Sequence, residues 1–446
     1  MKRLPLYLFL LLLITCSKDS TEDNSEDSKE VIDASNGIPE KSPLSQYKTS
    51  HQNHEWNDGW YSHSDLIANG GTSDLQAYGS LTYFDYGDDG DWDVFVQIEE
   101  PAPKWFNTWI IENKGKLGGK TQWKKRDDVI SEILPNGKRI PSGGRKTTQA
   151  DIDGDGDTDI VMFIADDYAY WWEDYIGNTG DRGGNPGGGI YAFIYDESVN
   201  TYSPIEIEPY QAGTNHVFYH GGTLGDVNGD GLVDILAGTV EIKVWINQGN
   251  LNFQKQEINV YENNFICSST LFDVNQDGFL DMIVSNSGPY QPNKPDGFRW
   301  NDVAEIYYGI PSYPYFDKSN PTILTVVGNG NYDCLIDVSI TDFDNDGDYD
   351  IFTSSYGVDV YDNMSGLINY FENDSNKFTN KTEDIFEKGQ NQSFQNNSGL
   401  IKTWDIDKDG DKELLIEASV SGNNHSQRGW NSFKLINGKL TRVLIR

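Results

Sequence analysis

Residues 151–160 read DIDGDGDTDI, with aspartate at positions 1, 3, 5, 7 and 9 of the stretch and glycine at positions 4 and 6. Carboxylates packed this closely repel one another unless something offsets the charge. Alternate residues of a tight loop can turn their side chains toward one centre. A hard divalent cation such as Ca²⁺ takes about six to eight oxygens there. Gly156 allows the backbone reversal that such a loop needs. The stretch then runs into DIVMFI, a short apolar and β-prone segment, so the loop is expected to lead into a buried strand.

The device recurs. DYGDDGDWD begins at Asp85, DVNGDGLVD at Asp226, DVNQDGFLD at Asp273, DFDNDGDYD at Asp342 and DIDKDGDKE at Asp405. The shared pattern is D-x-[DN]-x-D-G-x-x-[DE], with Gly87 the single departure at position 3. Positions 1, 3, 5 and 9 offer side-chain oxygens, and position 7, where Leu232 and Phe279 stand, offers its carbonyl. The expected ligands are Asp85, Asp89, Asp91 and Asp93 in the first copy, and Asp151, Asp153, Asp155, Asp157 and Asp159 in the second. They are Asp226, Asn228, Asp230, Leu232 and Asp234 in the third, and Asp273, Asn275, Asp277, Phe279 and Asp281 in the fourth. The fifth copy offers Asp342, Asp344, Asp346, Asp348 and Asp350, and the sixth Asp405, Asp407, Asp409, Asp411 and Glu413. Up to six Ca²⁺ ions are expected. An EF-hand needs an acid at position 12 and a following helix. Here position 12 is Val96, Met162, Ala237, Val284, Thr353 or Ile416, and strand-like runs follow.

Composition narrows the class. The chain has 446 residues and a formal net charge of −36, which excludes a nucleic-acid partner because phosphate binding needs a basic surface. Aromatics make up 13% of it, too many for a disordered chain. Lys2 and Arg3 precede the apolar Leu4–Ile14 and then Thr15-Cys16. Residues 1–16 therefore read as a signal peptide that resembles a bacterial lipobox, with Cys16 lipidated. The Ser17-Lys18-Asp19 that follows resembles the surface-export signal of Bacteroidetes lipoproteins. Residues 17–47 are polar and acidic and are expected to be a disordered tether, with the folded part spanning 48–446. The membrane would be met through the lipid alone, and the location would be the outer membrane at the cell surface. Cys267 and Cys334 remain in the fold, either as two buried thiols or as a disulfide.

Each acidic copy sits in a larger unit. A strand enters it, as in GSLTYFD, and another leaves it. A hairpin follows, as in KVWINQGNLNFQKQ, YFENDSNKF and FKLINGKL. Four antiparallel strands repeated at this spacing are the signature of an all-β propeller. The units resemble FG-GAP/VCBS repeats, the blades of the integrin α-subunit propeller and of many exported bacterial proteins. That resemblance implies Ca²⁺ between the first and second strands of each blade. Six units are visible, and residues 48–75 can supply a seventh blade, a closing strand or a cap; the integrin likeness favours seven.

Function is less legible. Tyr168, Tyr170, Trp171, Trp172 and Tyr175 crowd residues 165–189, and Tyr290, Arg299 and Trp300 lie in a second aromatic-rich segment, 285–316. Exposed aromatics stack on sugars, whereas alternating ones also fit a packed strand. His216, Tyr219 and His220 stand together before the third copy and are the candidates for proton abstraction from a uronic acid. His51 and His54 are a weaker metal pair. The reading favoured is a calcium-stabilised surface lipoprotein that binds an extracellular glycan or protein as a scaffold and is not a catalyst. The alternative is a propeller-type polysaccharide lyase or related carbohydrate-active enzyme.

Overall fold

In the computed structural model the chain is described over residues 30–32 and, with interruptions, 78–445. Residues 1–29, 33–77, 85, 88–92, 100–106, 118–119, 141–143, 165–186, 213–218, 220, 239–241, 259–263, 290–302, 326–332, 358–364, 387–393, 396, 405–409, 420–427 and 446 lie outside the described residues. Cys16, where lipidation is expected, the proposed seventh unit in 48–75 and all six histidines fall among these.

Six antiparallel sheets follow one another along the chain. The first blade is β2 (Tyr78–Phe84), β3 (Asp93–Glu99), β4 (Asn107–Leu117) and β5 (Lys120–Arg126); β1 (Glu30–Ile32) is placed with the last blade below. The second is β6 (Gly144–Ala150), β7 (Asp159–Ile164), β8 (Gly187–Asp196) and β9 (Thr201–Ala212). The third is β10 (Gly221–Gly225), β11 (Asp234–Gly238), β12 (Ile242–Asn247) and β13 (Phe253–Ile258). The fourth is β14 (Asn264–Phe272), β15 (Asp281–Pro289), β16 (Val303–Tyr307) and β17 (Thr322–Thr325). The fifth is β18 (Asp333–Thr341), β19 (Asp350–Gly357), β20 (Ser365–Asp374) and β21 (Lys377–Asn380), with β22 (Phe394–Gln395) added to β20. The sixth is β23 (Asn397–Trp404), β24 (Glu413–Ser419), β25 (Arg428–Ile436) and β26 (Lys439–Ile445). Within each blade the strands lie in chain order, and the first strands of successive blades pack side by side from β2 to β23.

The described residues thus form a six-bladed propeller, against the lean toward seven drawn from the integrin likeness; residues 48–75, the candidate for a seventh unit, lie outside them. The four-stranded blade is as expected, including the hairpin that completes the sixth blade without a borrowed strand. Glu30–Ile32, inside the segment expected to be a tether, adds a parallel edge strand to β26.

Burial explains why inner strands such as β7, β11 and β12 are largely apolar. Both faces of β7, β11 and β12 are buried, because a blade packs against a neighbour on each side. The outermost strands alternate, as in β21, where one face meets solvent. Successive blades share apolar cores. One gathers Phe84, Phe95, Ile110, Met162, Tyr191 and Phe193 between the first and second blades, and another Phe163, Ile190, Ala192, Leu224, Ile235 and Trp245 between the second and third. A short helix, α1 (Thr382–Ile385), drops Ile385 and Phe386 into the core between the fifth and sixth blades. The Asn437-Gly438 turn joins β25 to β26 with both residues at positive φ, as a two-residue hairpin with that sequence requires.

Gly222 marks how tightly the second and third blades fit. A Cβ there would lie 2.3 Å from Cδ1 of Phe163, which is itself fully buried. Gly222→Ala is expected to cost about 1–3 kcal/mol by overpacking, read as a lower denaturant midpoint with an unchanged slope.

Candidate functional site

Each acidic loop joins the first strand of a blade to the second. The second, third, fourth and fifth loops are described in full. In the first only Tyr86, Gly87 and Asp93 are described, and Asp85, Asp89 and Asp91 lie outside the described residues. In the sixth, Asp405, Asp407 and Asp409 lie outside them, while Asp411 and Glu413 are described.

The loops fold by the same local rules. The position 1 carboxylate accepts backbone N–H groups from across the turn. Asp151 takes Gly154 (2.7 Å) and Gly156 (3.0 Å), and Asp226 takes Gly229 (2.7 Å) and Gly231 (2.8 Å). Positions 3 and 5 accept from the residue two further on, as Asp155 does from Asp157 and Asp230 from Leu232. Position 6 is left-handed in every loop where it is described, with φ of 103° at Gly156 and 100° at Gly347. Position 4 is left-handed as well, and there Gln276 and Asn345 adopt the conformation without being glycine. These amide contacts turn the carboxylates inward before any ion is considered.

Among the described residues, two loops each bring three carboxylates close enough to share a cation. Ligand atoms of Asp151, Asp153 and Asp159 lie within 4.8 Å of one another, as do those of Asp342, Asp344 and Asp346. The donors are all hard oxygens, which suits Ca²⁺ or Mg²⁺ and not a soft metal. Burial, followed by the neighbouring Asp155 and Asp151, raises the carboxyl of Asp153 above its usual range. Burial and Asp346 do the same for Asp344. Such carboxylates are costly as bare anions, and a cation would relieve that cost.

Position 9 does something that spacing alone did not reveal. Asp159 is fully buried; its Oδ2 accepts the N–H of Ile152, at position 2 of its own loop, and its Oδ1 accepts that of Tyr195 on β8 (both 2.9 Å). Asp234 holds Val227 (3.0 Å) and Asn247 (2.8 Å) in the same way, and Asp281 holds Val274 (2.9 Å) and Gly309 (2.8 Å). Asp350 holds Phe343 and Asn373 and also accepts the Tyr370 hydroxyl. Asp93 holds Tyr86 and Asn113. The position 9 acid therefore staples its loop to the third strand. Burial pushes Asp159 up to about 8 and Asp234, Asp281 and Asp350 up to about 7, against the lowering effect of those N–H groups.

The partner on the third strand is a functional residue that sequence reasoning passed over. Asn247 adds to its N–H contact a side-chain bond from Nδ2 to the Ile152 carbonyl of the preceding blade (2.7 Å). The signal was present in the repeated asparagine of IIEN, VWIN and YFEN, which holds Asn113, Asn247 and Asn373. The sixth blade has Ile406, at position 2, outside the described residues. Its buried Glu413 has Lys434 Nζ at 3.5 Å, and the same ammonium stands 4.0 Å from Asp411. There a lysine supplies positive charge beside the acids. Adjacent loops are also tied together, by Gln276 Nε2 to the Gly347 carbonyl (2.7 Å) and by Asn345 Nδ2 to Asp411 (3.4 Å).

The remaining candidates do not converge on a site. Tyr219 is fully buried between the second and third blades, edge-on to Trp245 at 5.7 Å, and its hydroxyl has no hydrogen-bond partner among the described residues. Burial and the charge of Glu208 push its phenol far up. It is core and not an accessible base. His216 and His220 lie outside the described residues, as do Tyr168, Tyr170, Trp171, Trp172, Tyr175, Tyr290, Arg299 and Trp300. The strands of Cys267 and Cys334 are described but their side chains are not.

The FG-GAP-like repeat family model matches residues 226–284, which span the third acidic loop through the start of β15. No curated protein matches the chain. Among solved structures, a GH43 β-1,3-galactosidase with galactodeoxynojirimycin aligns at 10% identity and a TM-score of 0.35, covering 70% of this chain and 96% of its own. A thermostable family-43 glycoside hydrolase aligns at 10% and 0.35, covering 78% and 88%. An exo-β-1,3-galactanase from Phanerochaete chrysosporium with β-1,3-galactotriose aligns at 10% and 0.36, covering 70% and 64%. All are described as carbohydrate-active enzymes, against the expectation of a scaffold that is not a catalyst, and that expectation is withdrawn on this finding. Likeness at this level places no residue and assigns no reaction to this chain.

Proposed function

We propose that the chain is an exported propeller enzyme that cleaves an extracellular glycan, with cation-loaded acidic loops bracing one face and the substrate met on the other. The observation that supports this is the division of labour between strand ends. The connectors between first and second strands are short and carry the acidic loops. Those between second and third strands leave from the opposite strand ends, and they include 165–186 and 290–302, which hold most of the aromatic-rich sequence. Aromatic connectors at one end of a rigid scaffold suit recognition of sugar faces. Hydrolysis of a glycosidic bond needs two carboxyl groups flanking it. Asp166, Asp167, Glu173 and Asp174 in the first connector, with Asp296 and Asp302 in the second, are the acids we nominate. The net charge of −36 favours a neutral glycan over a polyuronate, and the burial of Tyr219 speaks against the lyase trio.

Calcium is our choice for the acidic loops, with the second and fifth loops as the first sites. The same reading carries a lipid anchor at Cys16 and exposure at the outer surface of a bacterial outer membrane. The test is incubation of the soluble chain, with Ca²⁺, on a panel of neutral and acidic polysaccharides. New reducing ends from a neutral glycan, without absorbance in the unsaturated-uronate band, are expected. Absence of product across the panel would refute the enzyme reading.

A further inference from the structure

An open groove lies on the outer strand of the third blade, away from the inner strands. The connector between β16 and β17 folds back across the outer strand of the third blade. Its turn is closed by the Tyr315 N–H donating to the Ser312 carbonyl (2.8 Å), and the flanking Ile310 N–H donates to the Tyr315 carbonyl (2.8 Å). Tyr313 at the tip is 59% exposed, whereas Phe316, three residues on, is fully buried in the core between the third and fourth blades. Tyr313 is the one aromatic among the large exposed hydrophobic residues of the described chain.

Its exposure is not that of a loose side chain. The Tyr313 hydroxyl donates to the backbone carbonyl of Glu257 on β13 (3.0 Å), which fixes the ring and leaves its surface to solvent. Tyr315 stands perpendicular to it, with ring centroids 6.0 Å apart. Tyr315 also holds a φ of 67°, a left-handed conformation that bulky residues avoid. Backbone outliers of this kind concentrate at ligand clamps. The two rings, Gln256 and Glu257 line a shallow, open groove of about 550 Å³.

We infer that this groove is an accessory subsite for a neutral oligosaccharide. Tyr313 offers a fixed ring to the C–H face of a pyranose. Gln256 supplies both a donor and an acceptor, and the exposed Glu257 carboxylate accepts from hydroxyls. That carboxylate, on a chain of net charge −36, disfavours uronates and sulfated sugars. The placement on β13, the outermost strand of its blade, separates the groove from the inner strands, so it would hold a glycan without taking part in its cleavage. The sugar class rests on the function proposed above, whereas the site rests on the groove itself.

The test is binding of neutral galacto-, xylo- and cello-oligosaccharides, with oligogalacturonate as the acidic control, to the soluble chain and two variants, followed by ligand-observed NMR and titration calorimetry. Tyr313→Ala is expected to lose about tenfold or more in affinity, as for removal of an aromatic anchor, while Tyr313→Phe, which keeps the ring, stays within about threefold. Both variants should melt within a few degrees of wild type, because the ring is exposed. Unchanged affinity of Tyr313→Ala, preference for oligogalacturonate, or no binding of any neutral sugar would overturn the subsite. Cleavage of small oligosaccharides by Tyr313→Ala at the wild-type rate would leave the enzyme reading standing in each of those cases. Binding through Tyr313 without cleavage by the wild type would sink the enzyme reading alone.

Discussion

Asp234→Ala is expected to lower stability by about 2–6 kcal/mol even with all divalent metal removed. Asp234 is fully buried, and its two oxygens are the acceptors for the N–H groups of Val227 and Asn247. Alanine would leave both donors buried without a partner, at about 1–3 kcal/mol each. The proper contrast is Asp230→Ala at position 5 of the same loop. Asp230 is exposed, and the Leu232 N–H that it accepts can turn to water. In chelator this variant should fall within about 0.5 kcal/mol of wild type. In millimolar Ca²⁺ it should lose the stabilisation that its loop gains from the ion. Denaturant melts of both variants, with and without Ca²⁺, check the pair. Equal losses in chelator would show that position 9 is not the staple described above.

The second large effect joins metal removal to pH. With Ca²⁺ stripped, the melting temperature is expected to fall as pH rises from about 4 to 8. Burial raises Asp159 to about 8 and Asp234, Asp281 and Asp350 to about 7, above their unfolded values near 3.8. Between those limits the folded chain binds more protons than the unfolded one, so the slope of unfolding free energy against pH is negative. The stabilisation is complete below pH 4 and lost as pH passes through 7 to 8. If the loops take Ca²⁺ as proposed, saturating Ca²⁺ would stabilise the folded chain by mass action and supply the missing positive charge. It should therefore raise the melting temperature most at pH 8 and flatten the profile. A melting temperature insensitive to both chelator and Ca²⁺ at pH 8 would remove the ion from the account.

Some of this was open to reading and some was not, for reasons visible at single residues. Asp151, Gly154, Asp155 and Gly156 form their loop through bonds that span five residues or fewer. Their spacing therefore announced the turn. Asn437-Gly438 announced its hairpin in the same way. The second bond of each staple is different. Asp159 reaches Tyr195, and Asp350 reaches Asn373, across a hairpin of variable length. Position 9 read only as a ligand, and its role as a staple was missed because that partner has no fixed offset. Lys434 beside Glu413 was hidden likewise, since only the pairing of β24 with β25 brings them together. Tyr219 looked like a base beside two histidines. It proved to be core because Trp245 and the third blade close over it.

By itself the sequence determined the unit: an acidic turn, the strands on either side of it and the hairpin that follows, all set by contacts between near neighbours in the chain. Tertiary structure decided how many units make the ring, which acids are staples, where a lysine stands beside acid, and that Tyr313 faces solvent while Phe316 does not. Those outcomes depend on packing between blades and on pairs separated by loops of variable length, which the unit's local pattern does not encode.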